Sequence, residues 1–211
     1  RSVMHEYNGT DWARNIIWMK GKYWVIMDQM KVREPADYSI FCQWMGAGHS
    51  VDEDYHTSLT QHDHTLHLQA AGGTRPIVTP VGVGDDRPVI RQGSHGELAQ
   101  GEALTFAQVL YGHENTRPVD YSIKRVSDNT CLITEPEREV LLGVAPADQQ
   151  GEPVALGRQL RANCTMFALA PDRLDLAGLT SFGSHQPVVE SDCPVDISID
   201  FDRATGVLHV S

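Results

Sequence analysis

The sequence predicts an all-β protein with little helix, an antiparallel two-sheet β-sandwich of the supersandwich-like kind. Three observations carry that prediction. Aromatic and β-branched residues crowd residues 12–28 and bend around Lys20-Gly21-Lys22, as in a β-hairpin. Short runs of similar character follow at about 8–12-residue spacing, punctuated by turn residues. No segment makes a convincing amphipathic helix.

Taken in order, residues 1–11 read as a lead-in with a turn signal at Tyr7-Asn8-Gly9-Thr10. In the hairpin, Ile16, Trp18 and Lys20 share one parity and Ile17 and Met19 the other, and residues 23–27 form the returning strand. Residues 37–44 supply a third strand after Arg33-Glu34-Pro35-Ala36. These three strands, carrying all four tryptophans, are expected side by side at the centre of a sheet. Residues 49–56 are polar and acidic and read as an exposed loop, and residues 66–70 as a short alternating strand. The Gly- and Pro-rich residues 72–101 are too long for a tight turn, so an extended excursion with a strand around 77–83 is expected. Residues 103–111 are ambiguous by period, and their Thr, Phe, Val and Tyr content favours strand. Further strands are expected at 119–126, 130–134, 140–144, 160–169, 173–179, 194–201 and 207–210, with turns at Asp128-Asn129 and 202–206. No repeat, low-complexity tract or linker divides the chain, so residues 1–211 are read as one domain.

A chain of 211 residues buries roughly 70% of its unfolded surface on folding, enough to hold together without disulfides. The net charge of −11 opposes contact with a phosphate backbone, so no nucleic acid partner is expected. No apolar run approaches the ~20 residues of a membrane-spanning helix, so no membrane partner is expected, and no signal-peptide pattern opens the chain. The chain starts at Arg1 rather than Met and is expected to have been processed or cut from something longer. Cys42, Cys131, Cys164 and Cys193 include no C-x-x-C pair, which excludes a zinc knuckle. Cys42 lies in an apolar strand and reads as a small buried residue, and the even count leaves one or two disulfides open.

Trp12-Ala-Arg14-Asn-Ile-Ile-Trp18 followed by Lys20-Gly-Lys-Tyr23-Trp24-Val-Ile-Met-Asp28 resembles the start of the C-terminal β-sandwich domain of heparinase II/III-like polysaccharide lyases. There an Arg-x-hydrophobic strand precedes a Tyr-Trp-Val-Val-x-Asp strand, and residues 38–44 look like a later strand of the same domain. The likeness is specific over about residues 7–48 and architectural beyond. It implies a chain excised from a longer protein whose N-terminal α/α-toroid domain holds the catalytic Asn, Tyr and His. It also implies an acidic polysaccharide as the molecule contacted and an extracellular or periplasmic location. No segment here resembles the toroid, so no catalytic residue is assigned. Some relatives hold a metal ion with an upstream His, the Asp ending the Tyr-Trp strand and a later His. Asp28 matches that aspartate, whereas Trp12 stands where relatives often carry the upstream His.

Other site residues come from the chain itself. Trp12, Trp18, Trp24 and Trp44, with Arg14, read either as a sugar-stacking platform or as packing against core or a neighbouring domain. Arg14 and Asp28 are placed to pair across the hairpin, which reads as a structural ion pair. His56, His62, Asp63, His64 and His67 are rich in donors for zinc or calcium, and His62 and His64 at i and i+2 would face one side of a strand. The same residues also read as a solvated loop entering an edge strand. Asp28, His62 and His64 are therefore the candidate metal ligands, with no cofactor certain. Glu97 with Glu102, and Glu135 with Glu137, are close in sequence only. No Gly-x-Ser-x-Gly, Walker or His-Glu-x-x-His motif occurs. Three functions follow: a non-catalytic sandwich module of a polysaccharide lyase, a stand-alone metal enzyme using the His56–His67 cluster, and a protein-interaction module.

Overall fold

The opening hairpin forms as its residues dictate: β2 (Thr10–Met19) turns at Gly21 into β3 (Tyr23–Val32), with Trp18 opposite Trp24 and Arg14 opposite Asp28. The computed structural model describes residues 1–72, 77–80, 87–146, 153–156, 160–184, 187–202, 205 and 207–211. Among them there is no helix, and every strand pairing is antiparallel.

The hairpin belongs to a first sheet that also holds β1 (Ser2–Tyr7), β5 (His49–Glu53), β6 (His56–Gln61), β7 (His64–Ala70) and β10 (Ala103–Glu114), in the order β1-β2-β3-β10-β7-β6-β5. A small sheet is ordered β4 (Ala36–Met45), β9 (Pro88–Leu98), β8 (Ile77–Pro80). The remaining sheet runs β11 (Ser122–Ser127), β12 (Thr130–Thr134), β13 (Glu139–Val144), β16 (Met166–Leu169), β17 (Arg173–Gly183), β15 (Arg161–Asn163), β14 (Val154–Ala155). On it, β18 (Pro187–Asp202) pairs with β17 and β19 (Val207–Val210).

The first sheet is the middle of three layers. One face packs Tyr23, Val25, Met27, Val109 and Tyr111 against Ile123, Cys131, Ile133, Leu142 and Val144 of the large sheet. The other packs Met30, Val32 and Phe106 against Ile40 and Cys42, and Leu59 and Leu68 against Ile90, of the small sheet. Each fully buried side chain of this size contributes about 1.5–3 kcal/mol. Burial on both faces explains why β3 is buried continuously from Val25 to Met30 instead of alternating. The large sheet has a second core on its far side, where Phe167, Leu174, Leu176 and Ile199 meet Leu156 and Ala162.

Several expectations are corrected here. The third strand does not lie beside the hairpin: β10 takes the free edge of β3, and β4 stacks on its face. Alternating burial along β4, with Ile40 and Cys42 inward, is the mark of that face packing. Residues 49–53 are an edge strand rather than a loop, polar because an edge faces water. Residues 88–98 form β9, hidden from sequence reading by its glycines. A Cβ at Gly93 would collide with the Phe41 ring and the Ile40 carbonyl, so close strand approach, not a turn, requires glycine there. Residues 160–169 split into β15 and β16. The expected strand at 77–83 is seen as β8 to Pro80, and its remainder lies outside the described residues, as do 203, 204 and 206 of the final turn. All four cysteines are free thiols, three of them buried.

Candidate functional site

The small sheet covers the outer face of β3, β10, β7 and β6 but leaves the β1–β2 flank open. Along β2 one parity carries Trp12, Arg14, Ile16 and Trp18 to that outer face. Ile16, Trp18 and Trp24 are 50%, 59% and 43% exposed. Trp18 and Trp24 stand on paired residues with ring centroids 6.3 Å apart and planes within 10°. Farther along β2, at Arg14, four residues or about 14 Å from Trp18, a cleft of about 560 Å³ opens between the flank and β4, lined by Met4, Tyr7, Trp12, Arg14, Tyr38 and Phe41 among others.

Arg14 forms one wall of that cleft and is held from behind. Its Nε and Nη2 donate to Oδ1 and Oδ2 of Asp28 at 2.8 and 2.6 Å, and Asp28 is 1% exposed. The Asp28 bonds raise the guanidinium pKa, keeping it charged throughout the accessible pH range. Its central carbon sits 5.7 Å from the Trp44 ring centroid, and Nη2 points at Cys42 Sγ, 3.7 Å away. Burial, then Asp28, pushes the Cys42 thiol well above its ordinary range, so it is a neutral packing group. Trp44 Nε1 donates to Gln108 Oε1 at 2.5 Å, and Gln108 Nε2 to Gln92 Oε1 at 2.9 Å, so this polar network is satisfied between the layers. Among the described residues Arg14 Nη1 has no acceptor, which leaves its hydrogens for the cleft.

The five expected contact residues thus separate into three roles. Trp18 and Trp24 form an exposed stacked pair, Trp12 and Arg14 line the cleft, and Trp44 lies behind Arg14. Charge favours the same region. Residues 1–48 carry six Lys and Arg against five Asp and Glu, so the acidic excess of the chain lies entirely in the remainder.

The expected metal ligands are not gathered. His62 sits in the β6–β7 turn with φ 55°, and His64 is exposed beside Asp63, Nδ1 to Oδ1 2.7 Å. On β10 the partner of Asp28 is Phe106 and the partner of His64 is Glu114. Eight residues of strand separate those positions, about 27 Å at 3.4 Å per residue. Asp28 therefore cannot share an ion with His62 or His64. Among the described residues no group of three or more His, Cys, Asp or Glu side chains is placed to hold a metal ion.

What the structure does gather is His56, His67 and a histidine sequence reading missed, His113. Nε2 of His56 lies 2.8 Å from Nδ1 of His67, and Nε2 of His67 lies 2.9 Å from Nε2 of His113. His67 uses a different nitrogen toward each neighbour, so these rings form a row rather than a ligand cluster. His113 belongs to β10, which pairs with β7, and only knowledge of that pairing would have revealed it. Glu135, considered for acid–base work, is instead a buried tie between layers. It accepts from Lys22 Nζ, from Tyr23 Oη at 2.8 Å and from Arg138 Nε at 3.2 Å.

No family model and no curated protein matches the chain. Among solved structures it is similar to heparan sulfate lyase HepC from Pedobacter heparinus, with a TM-score of 0.52 and 15% identity. That alignment covers 71% of this chain and 26% of the lyase, so the chain corresponds to about a quarter of that protein. A likeness at this identity is one of fold: the chain is an antiparallel β-sandwich related in architecture to part of a heparan sulfate lyase.

Proposed function

We propose that this chain is the non-catalytic β-sandwich module of a polysaccharide lyase-like protein and contacts an acidic polysaccharide through the open β1–β2 flank. The observation that carries this reading is that one strand, β2, carries both the exposed Trp18 ring stacked with Trp24 and, about 14 Å farther along, the Arg14-lined cleft. Indole faces suit the apolar faces of pyranose rings, and Nη1 of Arg14, without an acceptor among the described residues, suits a uronate carboxylate or a sulfate. The near-balanced charge of residues 1–48 spares an anionic chain the repulsion that it meets elsewhere on the molecule. The likeness in fold to part of a heparan sulfate lyase supports the same substrate class.

Calorimetry with heparan sulfate and alginate tests the proposal. Binding is expected, with no rise in ultraviolet absorbance from unsaturated uronate. The double change Trp18→Ala, Trp24→Ala is expected to weaken binding about tenfold or more, the loss of roughly 1.4 kcal/mol. The double variant should still unfold cooperatively, with a midpoint only modestly lowered, since the rings are 59% and 43% exposed and pack mainly on each other. Absent binding, or undiminished binding in the double variant, rejects the reading. Absent binding together with protection of Ile16, Trp18 and Trp24 by a second domain would favour a docking role.

A further inference from the structure

Away from that flank, the row His56–His67–His113 spans three adjacent strands, β6, β7 and β10, beside the edge of the inner core. Its hydrogen bonds have one allowed direction when the rings are neutral. Nδ1 of His113 lies 2.9 Å from the Glu114 carbonyl oxygen, which can only accept, so that nitrogen carries the proton. Nε2 of His113 is then an acceptor, and His67 donates to it from Nε2. Nδ1 of His67 is left as an acceptor, and His56 donates to it from Nε2. The rings also stack: centroids are 4.9 Å apart for His56 and His67, 4.9 Å for His67 and His113, and 4.6 Å for His67 and Tyr111.

This arrangement limits how many protons the row can take. One ring nitrogen, Nδ1 of His56, has no partner among the described residues, and a first added proton there breaks nothing. A second must go to Nδ1 of His67 or Nε2 of His113, and each already accepts a bond. We propose that the row is an acid-release clasp: it ties the β5–β6 flank to β7 and β10 while it holds at most one added proton, and a second proton opens it.

The surroundings set where the protons go. Glu53 of β5 stands opposite His56 in the strand pair. Tyr111 of β10 lies against the His67 ring and donates to Asp120 at 3.0 Å, with Tyr121 packed edge-on to Tyr111. Burial, then the charges of His56 and His113, pushes His67 down to about 4, while Asp120 pulls the other way. The opposite face of β6 packs Leu59 against Leu68 and Ile90, so release of β6 also loosens its contact with the small sheet.

Nitrogen-15 NMR of the imidazoles and amide hydrogen exchange test the clasp. At neutral pH the protons should sit on His56 Nε2, His67 Nε2 and His113 Nδ1. Between pH 7.5 and 4, amides of β5 and β6 should lose protection about tenfold beyond the intrinsic rate change, while those of β3 keep theirs. In His67→Phe, which keeps a ring over Tyr111 but cannot take a proton, that acid step should vanish. Independent titration of the three rings near the ordinary value with unchanged β6 protection overturns the proposal, as does an acid step that persists in His67→Phe. Should that variant fail to fold, the wild-type titration and exchange decide alone.

Discussion

Asp28 is a carboxylate with 1% exposure, and among the described residues only Arg14 answers its charge, across the hairpin. The two ends of the pair are unequal, because the Arg14 side chain is 38% exposed. Arg14→Met strands a buried charge and is expected to cost about 3–4 kcal/mol, whereas Asp28→Asn leaves a guanidinium that water can reach and should cost about 1–2 kcal/mol. Urea unfolding of both variants checks this order, and equal losses would mean that Asp28 is hydrated in the fold. The pair itself was legible in the sequence, since facing positions of a hairpin follow once the turn at Gly21 is recognised. The cover over it was not. Cys42 and Trp44 come from a strand that stacks on the hairpin, and nothing local says on which face it lands.

At the scale of elements, β17 shows a bend that sequence reading missed. Gly178 has φ +63°, and a Cβ there would lie 2.5 Å from Thr165 Oγ1. The register between β17 and β18 shifts on either side of it, between Leu176, Leu179 and Ser181. That irregularity lets one long hairpin serve both β16 and β15 along its opposite edge. Gly178→Ala should cost about 1–3 kcal/mol by thermal unfolding, part from the backbone and part from the collision. Adding Thr165→Ala should recover the collision share alone. The residues around Gly178 read as an ordinary strand ending near 179, because a bulge changes which face a side chain takes without changing composition. In β9 the same blindness ran the other way: Gly93 and Gly96 belong to a stretch read as an extended excursion, whereas both lie within β9, Gly93 where a Cβ would strike Phe41 and Ile40 of β4 and Gly96 with φ +147° in open space.

For the whole molecule, acid should act in two stages. His67 in the fold is held near 4, below its ordinary 6.5, so the unfolded chain binds more protons between those values and stability falls as pH drops through that window. Glu135 is driven up by burial but pulled lower on balance by Lys22, Tyr23 and Arg138, and Asp11 is lowered chiefly by Arg33. Their contributions are present above the ordinary carboxylate range and are lost as pH falls through their depressed folded values. Chemical unfolding at pH 7.5, 5 and 3 should therefore show successive losses. A stability unchanged from pH 7.5 to 5 would remove the histidine stage, and one unchanged from 5 to 3 the carboxylate stage.

The sequence by itself determined that the chain is all β, where most strands lie, how the opening hairpin pairs, and that Arg14 and Asp28 meet. Those features depend on alternation, turn residues and neighbours a few positions apart. Only the tertiary structure decided that β4 forms a third layer, which tryptophans face outward, that Asp28 is remote from His62 and His64, and that His113 completes a row with His56 and His67. Each of these depends on which strand lies beside or above which, and that choice is made by contacts between residues far apart in the chain, where the burial of whole faces outweighs any local preference.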